Sequence, residues 1–271
     1  MTSLNPELQA SIEARLRYFR DLGVYSFYRR GEPDPQSLES TTATVIESEP
    51  EPAIPTRKET VIAPGFSAEC KILPPDQRLS ALEAVRAEIG ECTRCPLAFA
   101  GRHTIVFADG DPNARLMFVG EGPGADEDAQ GLPFVGRAGQ LLNNMVNAMG
   151  LKREQVYIAN VVKCRPPQNR TPEPEEANTC MQFLWRQIEI VHPEVIVALG
   201  ATAATYLLGG RAPLASLRGR IHGVRDSKLI VTYHPAYLLR DPRQKVEAWK
   251  DLQIAMKELG LKAPKAAKSE S

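Results

Sequence analysis

The sequence lacks a long hydrophobic run and any excess of one charge. Its 271 residues include 33 Lys and Arg against 33 Asp and Glu. No apolar stretch approaches the roughly 20 residues that a membrane-spanning helix needs, and charged residues interrupt the apolar positions near Met1 that a signal peptide would require. These absences predict a cytoplasmic protein that has no membrane partner.

Cysteine is also scarce, but four of the five cysteines form a pattern. Cys92 and Cys95 form a C-x-x-C pair, and Cys164 and Cys180 form a second pair further along the chain. Thiols persist in the cytosol, so a patterned set there indicates metal binding or catalysis rather than disulfides. Four thiolates suit zinc and an iron–sulfur cluster equally well. Cys70 stands apart and is predicted to be a free thiol.

The neutral total charge conceals an uneven distribution. Residues 1–91 carry ten basic against fifteen acidic side chains, whereas residues 92–271 carry 23 against 18. The basic part is the better candidate to contact a polyanion, although an ordinary solvated surface would look the same. We predict a helical segment at 1–30, a disordered acidic, Pro- and Ser-rich linker at 31–75, the main domain at 76–261 and a disordered tail at 262–271. The first segment is expected to dock on the main domain, self-associate or bind an unidentified protein.

Short apolar runs alternate with helical stretches in the main domain. The runs are continuous, as in strands that are buried on both faces. They lie at 116–119, 156–159, 195–198 and 229–232. Helices are predicted at 139–149, 175–191, 202–208 and 246–259. This alternation predicts an α/β fold in which a mostly parallel sheet lies between layers of helices.

The residues that follow the strands are the first candidates for a site, because ligands bind beyond the carboxyl ends of parallel strands. Gly120, Gly122 and Gly124 follow the first run, Asn160 follows the second, and His234 follows the fourth. The glycines allow a ligand to approach the backbone closely. A nucleotide-binding loop is the alternative, but the loop lacks Gly-Lys-Ser/Thr and has acidic residues beside it.

Several motifs occur in the order found in one family. They are Gly-Glu-Gly-Pro-Gly at 120–124, Pro-Phe-Val-Gly at 133–136, Asn160 ahead of Lys-Cys-Arg-Pro-Pro at 163–167, and His-Pro-Ala at 234–236. Together with the cysteine spacing, they resemble the motifs of family-4 uracil-DNA glycosylases over residues 82–260. The resemblance implies a three-layer α/β/α fold with a four-stranded sheet. It also implies hydrolysis of the N-glycosidic bond of uracil in DNA, and a structural 4Fe-4S cluster on Cys92, Cys95, Cys164 and Cys180.

Such an enzyme must extrude the uracil nucleotide from the duplex into a pocket that reads its edge. Phe134 is the predicted stacking platform, and Gly122 is predicted to let the backbone approach the base. Asn160 is the predicted reader, because one amide can donate to uracil O4 and accept from N3–H. Cytosine reverses both polarities and would be rejected.

Breaking the bond leaves negative charge on uracil and positive charge on the sugar. His234 is predicted to donate a hydrogen bond to the departing base, and Glu121 to orient the attacking water. Glu127 is predicted to line the pocket wall where a thymine methyl would have to fit. The roles of the two glutamates could be exchanged. Glu127, with Asp126 and Asp128, could instead complement the N-terminus of a helix.

The segment after His234 is predicted to be a loop that contacts DNA. Leu238 or Leu239 would fill the gap left by the extruded base, and Arg240 would meet a phosphate. The alternative is that both leucines belong to the core.

Two further functions remain as rivals. A related protein that captures uracil-DNA covalently would have a nucleophilic histidine in a basic insertion after the second strand, and residues 165–172 contain no histidine. The other rival, a DNA-binding module without catalysis, would produce no abasic sites.

Overall fold

The computed structural model describes residues 72–262. The helical segment predicted at 1–30, most of the predicted linker and nearly all of the predicted tail therefore lie outside the described residues. Within 72–262, none of the helices has the length and hydrophobicity to cross a membrane.

A single mixed sheet forms the centre of the described part. Its strands are β1 (Asp109–Gly110), β2 (Leu116–Gly120), β3 (Tyr157–Asn160), β4 (Val195–Leu199), β5 (Ile221–Val224) and β6 (Ser227–Thr232). They lie side by side in the order β1-β3-β2-β4-β6-β5. The four inner strands are parallel and correspond to the four predicted runs, which confirms the α/β class.

The sheet has six strands rather than the predicted four. Both additional strands are at the edges and pair antiparallel with their neighbours. Neither has a continuous apolar run, because β1 has only two residues and β5 alternates exposed with less exposed positions. A pattern search for strands buried on both faces therefore passes over them.

Helices cover both faces of the sheet. They are α1 (Pro75–Ile89), α2 (Ala125–Gln130), α3 (Arg137–Ala148), α4 (Pro174–Val191), α5 (Ala201–Leu208), α6 (Leu214–Leu217), α7 (Pro235–Arg240) and α8 (Lys245–Glu258). Alternate strand residues point to opposite faces. Met117 and Val119 of β2 pack in the core that includes α1, α4 and α5, whereas Leu116 and Phe118 pack in the core that includes α3 and α8. The three-layer arrangement is therefore confirmed.

The parallel register brings the carboxyl ends of the inner strands to one edge of the sheet. Gly120 at the end of β2 lies opposite Asn160 at the end of β3. Leu199 at the end of β4 lies opposite Thr232 at the end of β6, two residues before His234. The residues predicted for the site therefore meet at this edge.

Candidate active site at the carboxyl edge of the sheet

Two side chains meet at Gly120, and a third lies beside one of them. A methyl group added to Gly120 would lie 2.4 Å from Asn160 Oδ1 and 2.5 Å from the Phe134 ring, so only glycine fits between them. The rings of Phe134 and His234 have centroids 5.7 Å apart and are inclined by 35°. The structure thus brings together an amide, an aromatic ring and an imidazole.

The amide oxygen of Asn160 has no partner. Asn160 is only 1% exposed. Its Oδ1 is the one buried side-chain nitrogen or oxygen atom, among those in residues 72–262, that lacks a hydrogen bond. An unsatisfied buried acceptor of this kind costs about 1–3 kcal/mol. A ligand that places an N–H beside Phe134 would remove that cost.

His234 is held as a neutral imidazole with a defined tautomer. It is the N-cap of α7, and its Nδ1 accepts a hydrogen bond from the backbone N–H of Ala236 at 3.2 Å. Burial, with a smaller contribution from the nearby charge of Arg240, lowers the pKa of His234 to about 4. A neutral ring whose Nδ1 accepts carries its proton on Nε2. His234 can therefore donate one hydrogen bond at neutral pH.

The carboxylate of Glu127 joins the two loops that frame the site. It accepts from the backbone N–H of Gly124 at 3.1 Å, of Val135 at 2.9 Å and of Gly136 at 3.0 Å. The first of these bonds also caps the N-terminus of α2, as the helix-terminus alternative anticipated. With its oxygens engaged in this way, Glu127 is better suited to fix the loops than to orient water.

Glu121 and Gly122 follow directly after β2 and lie beside the segment that follows β3. Glu121 is half-buried, and its backbone carbonyl accepts from Val162 N–H at 3.1 Å. Its carboxylate has no hydrogen-bond or ion-pair partner within the part of the chain that the structure describes. A methyl group on Gly122 would lie 2.7 Å from the Val162 side chain, so the backbone passes close to the neighbouring segment. Glu121 is thus the carboxylate that remains available to a water molecule.

The second predicted constellation, the four cysteines, lines one cavity. Ile89, Ile105 and Phe183 form part of its apolar wall. All four lining cysteines are free. No group of three or more His, Cys, Asp or Glu side chains in residues 72–262 is arranged to hold a single metal ion. Four sulfur ligands are the donor set of an iron–sulfur cluster, and zinc also takes four thiolates.

Three N–H groups point at the sulfurs. Arg94 Nη1 donates to Cys92 Sγ at 3.3 Å, and Arg102 Nη1 donates to Cys164 Sγ at 3.1 Å. The backbone N–H of Lys163 donates to Cys180 Sγ at 3.3 Å.

The cysteines need a cation to act as thiolates. Burial raises the pKa of Cys180 to about 12 and also raises the pKa values of Cys95 and Cys164. At neutral pH these groups stay protonated unless a metal displaces the protons. An all-sulfur donor set in an apolar wall with N–H groups directed at sulfur suits an iron–sulfur cluster.

Comparison with known proteins agrees with this geometry. A family model described as the uracil DNA glycosylase superfamily matches residues 107–253. The type-4 uracil-DNA glycosylase of Thermotoga maritima is 50% identical over 162 residues, which are 59% of this chain and 84% of the relative. The chain belongs to the type-4 uracil-DNA glycosylases.

Other type-4 glycosylases align over a similar range. The protein of Pyrobaculum aerophilum is 44% identical over 182 residues, covering 64% of this chain and 92% of the relative. That of Archaeoglobus fulgidus is 39% identical over 194 residues, covering 69% of this chain and 97% of the relative. These matches leave about a third of the chain uncovered.

The segment after His234 differs from the loop that we predicted from the sequence. It is the helix α7 rather than a loop, because Pro235 is preorganised for the first helical position and His234 caps the helix. Leu238 is 1% exposed and packs inside, so the structure does not present it to DNA. Leu239 is half-buried and Arg240 is exposed.

Two residues beside Phe134 escaped the sequence reasoning. A methyl group on Gly139 would lie 1.9 Å from the carbonyl oxygen of Phe134, so α3 packs directly against the backbone of the loop. Arg153 donates to that same carbonyl oxygen. The sequence gives little signal for either, because the atom of Phe134 that each contacts is a backbone carbonyl oxygen.

Proposed function

We propose that this chain extrudes uracil from DNA and hydrolyses its N-glycosidic bond, leaving an abasic site and initiating base excision repair. The observation that carries the proposal is the Asn160 Oδ1 atom, which lies beside the Phe134 ring and has no hydrogen-bond partner among residues 72–262. Uracil offers N3–H to this oxygen and O4 to the amide N–H group. Cytosine offers an acceptor and a donor in the opposite places, so it leaves the buried amide unpaired.

His234 would act on the departing base. Its Nε2–H is directed by the Nδ1 contact to Ala236, and the low pKa keeps the ring neutral at physiological pH. A hydrogen bond to uracil O2 strengthens as negative charge builds on the leaving base, so its benefit falls mainly on the transition state. Glu121, whose carboxylate has no partner among residues 72–262, would orient the water that attacks C1′.

Binding to DNA would involve the exposed side of α7. Leu239 is the leucine of this helix that can reach a groove, and Arg240 can meet a phosphate. Leu239 therefore replaces Leu238 as the proposed wedge. The proposed protein partner or self-association of residues 1–30 concerns a segment outside the described residues.

We further propose that Cys92, Cys95, Cys164 and Cys180 hold a 4Fe-4S cluster. When bound, the cluster supplies iron–thiolate bonds that cross-link the chain and takes no part in hydrolysis. These bonds would tie the segment after α1 to the segment after β3 and to α4. Four free cysteines also suit the reducing cytoplasm, where we place the protein.

A single incubation tests the activity. An oligonucleotide with one uracil is treated with the full-length holoprotein and then with alkali, beside matched oligonucleotides that carry cytosine or thymine. We expect strand cleavage at the uracil position alone. Absence of alkali-labile sites overturns the proposal, and a protein–DNA adduct that survives denaturation would favour covalent capture instead.

A further inference from the structure

One arginine holds the loop that carries the aromatic platform. Arg153 Nη1 donates to the carbonyl oxygen of Phe134 at 3.0 Å, and Nη2 donates to that of Pro133 at 2.6 Å. The same guanidinium donates to Asn143 Oδ1 at 2.9 Å and, through Nε, to Asp109 Oδ2 at 2.7 Å. Arg153 thus joins β1, α3 and the 133–136 loop.

The loop needs such a fixture because its backbone is strained. Phe134 has φ of 52°, in the left-handed region that a bulky side chain rarely occupies. Conformations of this kind cost about 1–3 kcal/mol and persist only where surrounding contacts enforce them. Gly139 packs against the Phe134 carbonyl from α3, and Arg153 bonds to the same oxygen. The strained residue is therefore held through its carbonyl group.

We propose that Arg153 is a positioning residue that sets the place of the Phe134 ring for the extruded uracil. The ring lies beside Asn160 at Gly120, and its centroid is 5.7 Å from that of the His234 ring, so a shift of the loop would move the stacking surface away from the base reader. Arg153 acts through two backbone carbonyls and makes no contact with the base. The inference rests on the proposed function, because it assigns the platform to uracil.

The chemistry of the guanidinium suits this task. Its donors form a rigid planar fork that can serve several acceptors at once, which the single ammonium of lysine cannot do with the same geometry. The ion pair with Asp109 is half-buried, with side-chain exposures of 21% for Arg153 and 33% for Asp109. A carboxylate on one side of the fork therefore fixes the orientation in which the other donors face the loop.

The test separates base binding from DNA binding. In Arg153→Met, we measure inhibition by free uracil, the affinity for DNA with an abasic site, and kcat and KM on uracil-DNA. A platform contact serves ground state and transition state alike, so KM and the uracil inhibition constant should rise about tenfold while kcat changes less than about threefold. Affinity for abasic DNA should stay within about twofold, because that ligand has no base to stack.

Arg115→Met is the matched control. Like Arg153, Arg115 pairs with a carboxylate and a backbone carbonyl, which here belong to Glu194 and Leu259. It lies just before β2, however, at the amino ends of the parallel strands and away from the candidate active site. We expect no change in uracil inhibition for this variant. Arg153→Lys should fall between the parent and Arg153→Met, since it keeps the charge without the fork.

Two results overturn the inference. One is an unchanged uracil inhibition constant in folded Arg153→Met; the other is a loss of uracil and abasic-DNA binding by the same factor. If Arg153→Met does not fold, Asp109→Asn and Asn143→Leu replace it, because each removes one partner of the arginine. The inference is also overturned if the uracil inhibition constant rises in neither of these two variants. A parent that leaves uracil in DNA overturns the proposed function and this inference with it.

Discussion

The candidate active site around Asn160, Phe134 and His234, called the pocket below, and the cysteine cavity lie next to each other but are built on different principles. At the candidate active site, hydrogen bonds within the protein fix Glu127 and one nitrogen of His234, whereas Asn160 Oδ1 is buried without a partner among residues 72–262. In the cavity, burial raises the pKa values of three of the four cysteines, so the site lacks the charged form that would bind metal until metal arrives. The candidate active site is preorganised by the polypeptide, whereas the cavity would be completed by the proposed cluster.

The two regions share one short piece of chain. Asn160 ends β3, and Cys164 follows four residues later. Between them, the buried Lys163 donates from Nζ to the Asn160 carbonyl at 2.8 Å and to Gln187 Oε1 at 2.6 Å. Its backbone N–H donates to Cys180. We expect changes in the cavity to act mainly on stability and changes in the candidate active site mainly on chemistry. The shared segment is the connection through which one region would affect the other.

The largest effect is expected from Cys180→Ser. Anaerobically purified parent should be brown, with a broad absorbance near roughly 400 nm, and the variant should lose that colour. The loss of metal–ligand bonds couples directly to folding. At about 2–4 °C per kcal/mol, a loss of several kcal/mol lowers Tm by roughly 10 °C or more.

Cys70→Ser is the control for this prediction, because Cys70 does not belong to the four-cysteine set. It should leave colour and Tm unchanged. A colourless parent that contains stoichiometric zinc, or a Cys180→Ser protein with the colour and Tm of the parent, would contradict the cluster proposal and remove the contrast between the two regions.

His234→Ala is expected to have the second-largest effect, which is on the rate of excision. Loss of one preorganised donor typically costs 10²–10³ in rate, or about 2.7–4 kcal/mol. Single-turnover excision should fall by that order while affinity for uracil-DNA changes several-fold or less, since the donor acts mainly in the transition state. The cluster absorbance should be unaffected. Excision within about threefold of the parent would show that another group stabilises the leaving base.

A smaller effect, on selectivity, is expected from Asn160→Asp. A carboxylate cannot donate to uracil O4, but it can accept from the exocyclic amine of cytosine. The ratio of uracil to cytosine excision should therefore fall, as measured with matched oligonucleotides under single-turnover conditions. An unchanged ratio in a brown, folded variant would remove Asn160 from the reading role and leave its unpaired oxygen without an explanation.

How much of this was predictable depends on what each residue contacts. The inner strands β2, β3, β4 and β6 followed from continuous apolar runs, and the location of the site followed from the rule for parallel sheets. The edge strands β1 and β5 gave no such signal. The residues at the strand ends were candidates for that reason, whereas Arg153 lies before β3 and reaches the loop through backbone carbonyls distant in sequence, which no motif signals.

The choice between neighbouring leucines also required the tertiary structure. Leu238 and Leu239 are chemically identical, and which of them faces the core depends on how the short helix α7 is rotated against its neighbours. Six residues are too few for a helical pattern to fix that rotation. The roles proposed for Glu121 and Glu127 likewise depended on which carboxylate the backbone N–H groups engage.

The smallest effect is expected in the dependence of excision on pH. Burial lowers the pKa of His234 to about 4 from an ordinary value of 6.5, so the ring in the folded protein stays neutral as the pH falls from 8 to 5. Single-turnover excision should therefore change little across this range on account of His234 and should decline only near pH 4.

The unfolded chain takes up the proton near its ordinary pKa, so stability contributed by the neutral ring is lost as pH falls from 6.5 towards 4. Thermal unfolding should show this loss in the parent and less of it in His234→Ala, whose rate is low at every pH. A parental rate profile with a midpoint near 6.5 that disappears in His234→Ala would mean that His234 is not desolvated as the pocket requires, and the contrast between a preorganised pocket and a ligand-completed cavity would fail on the pocket side.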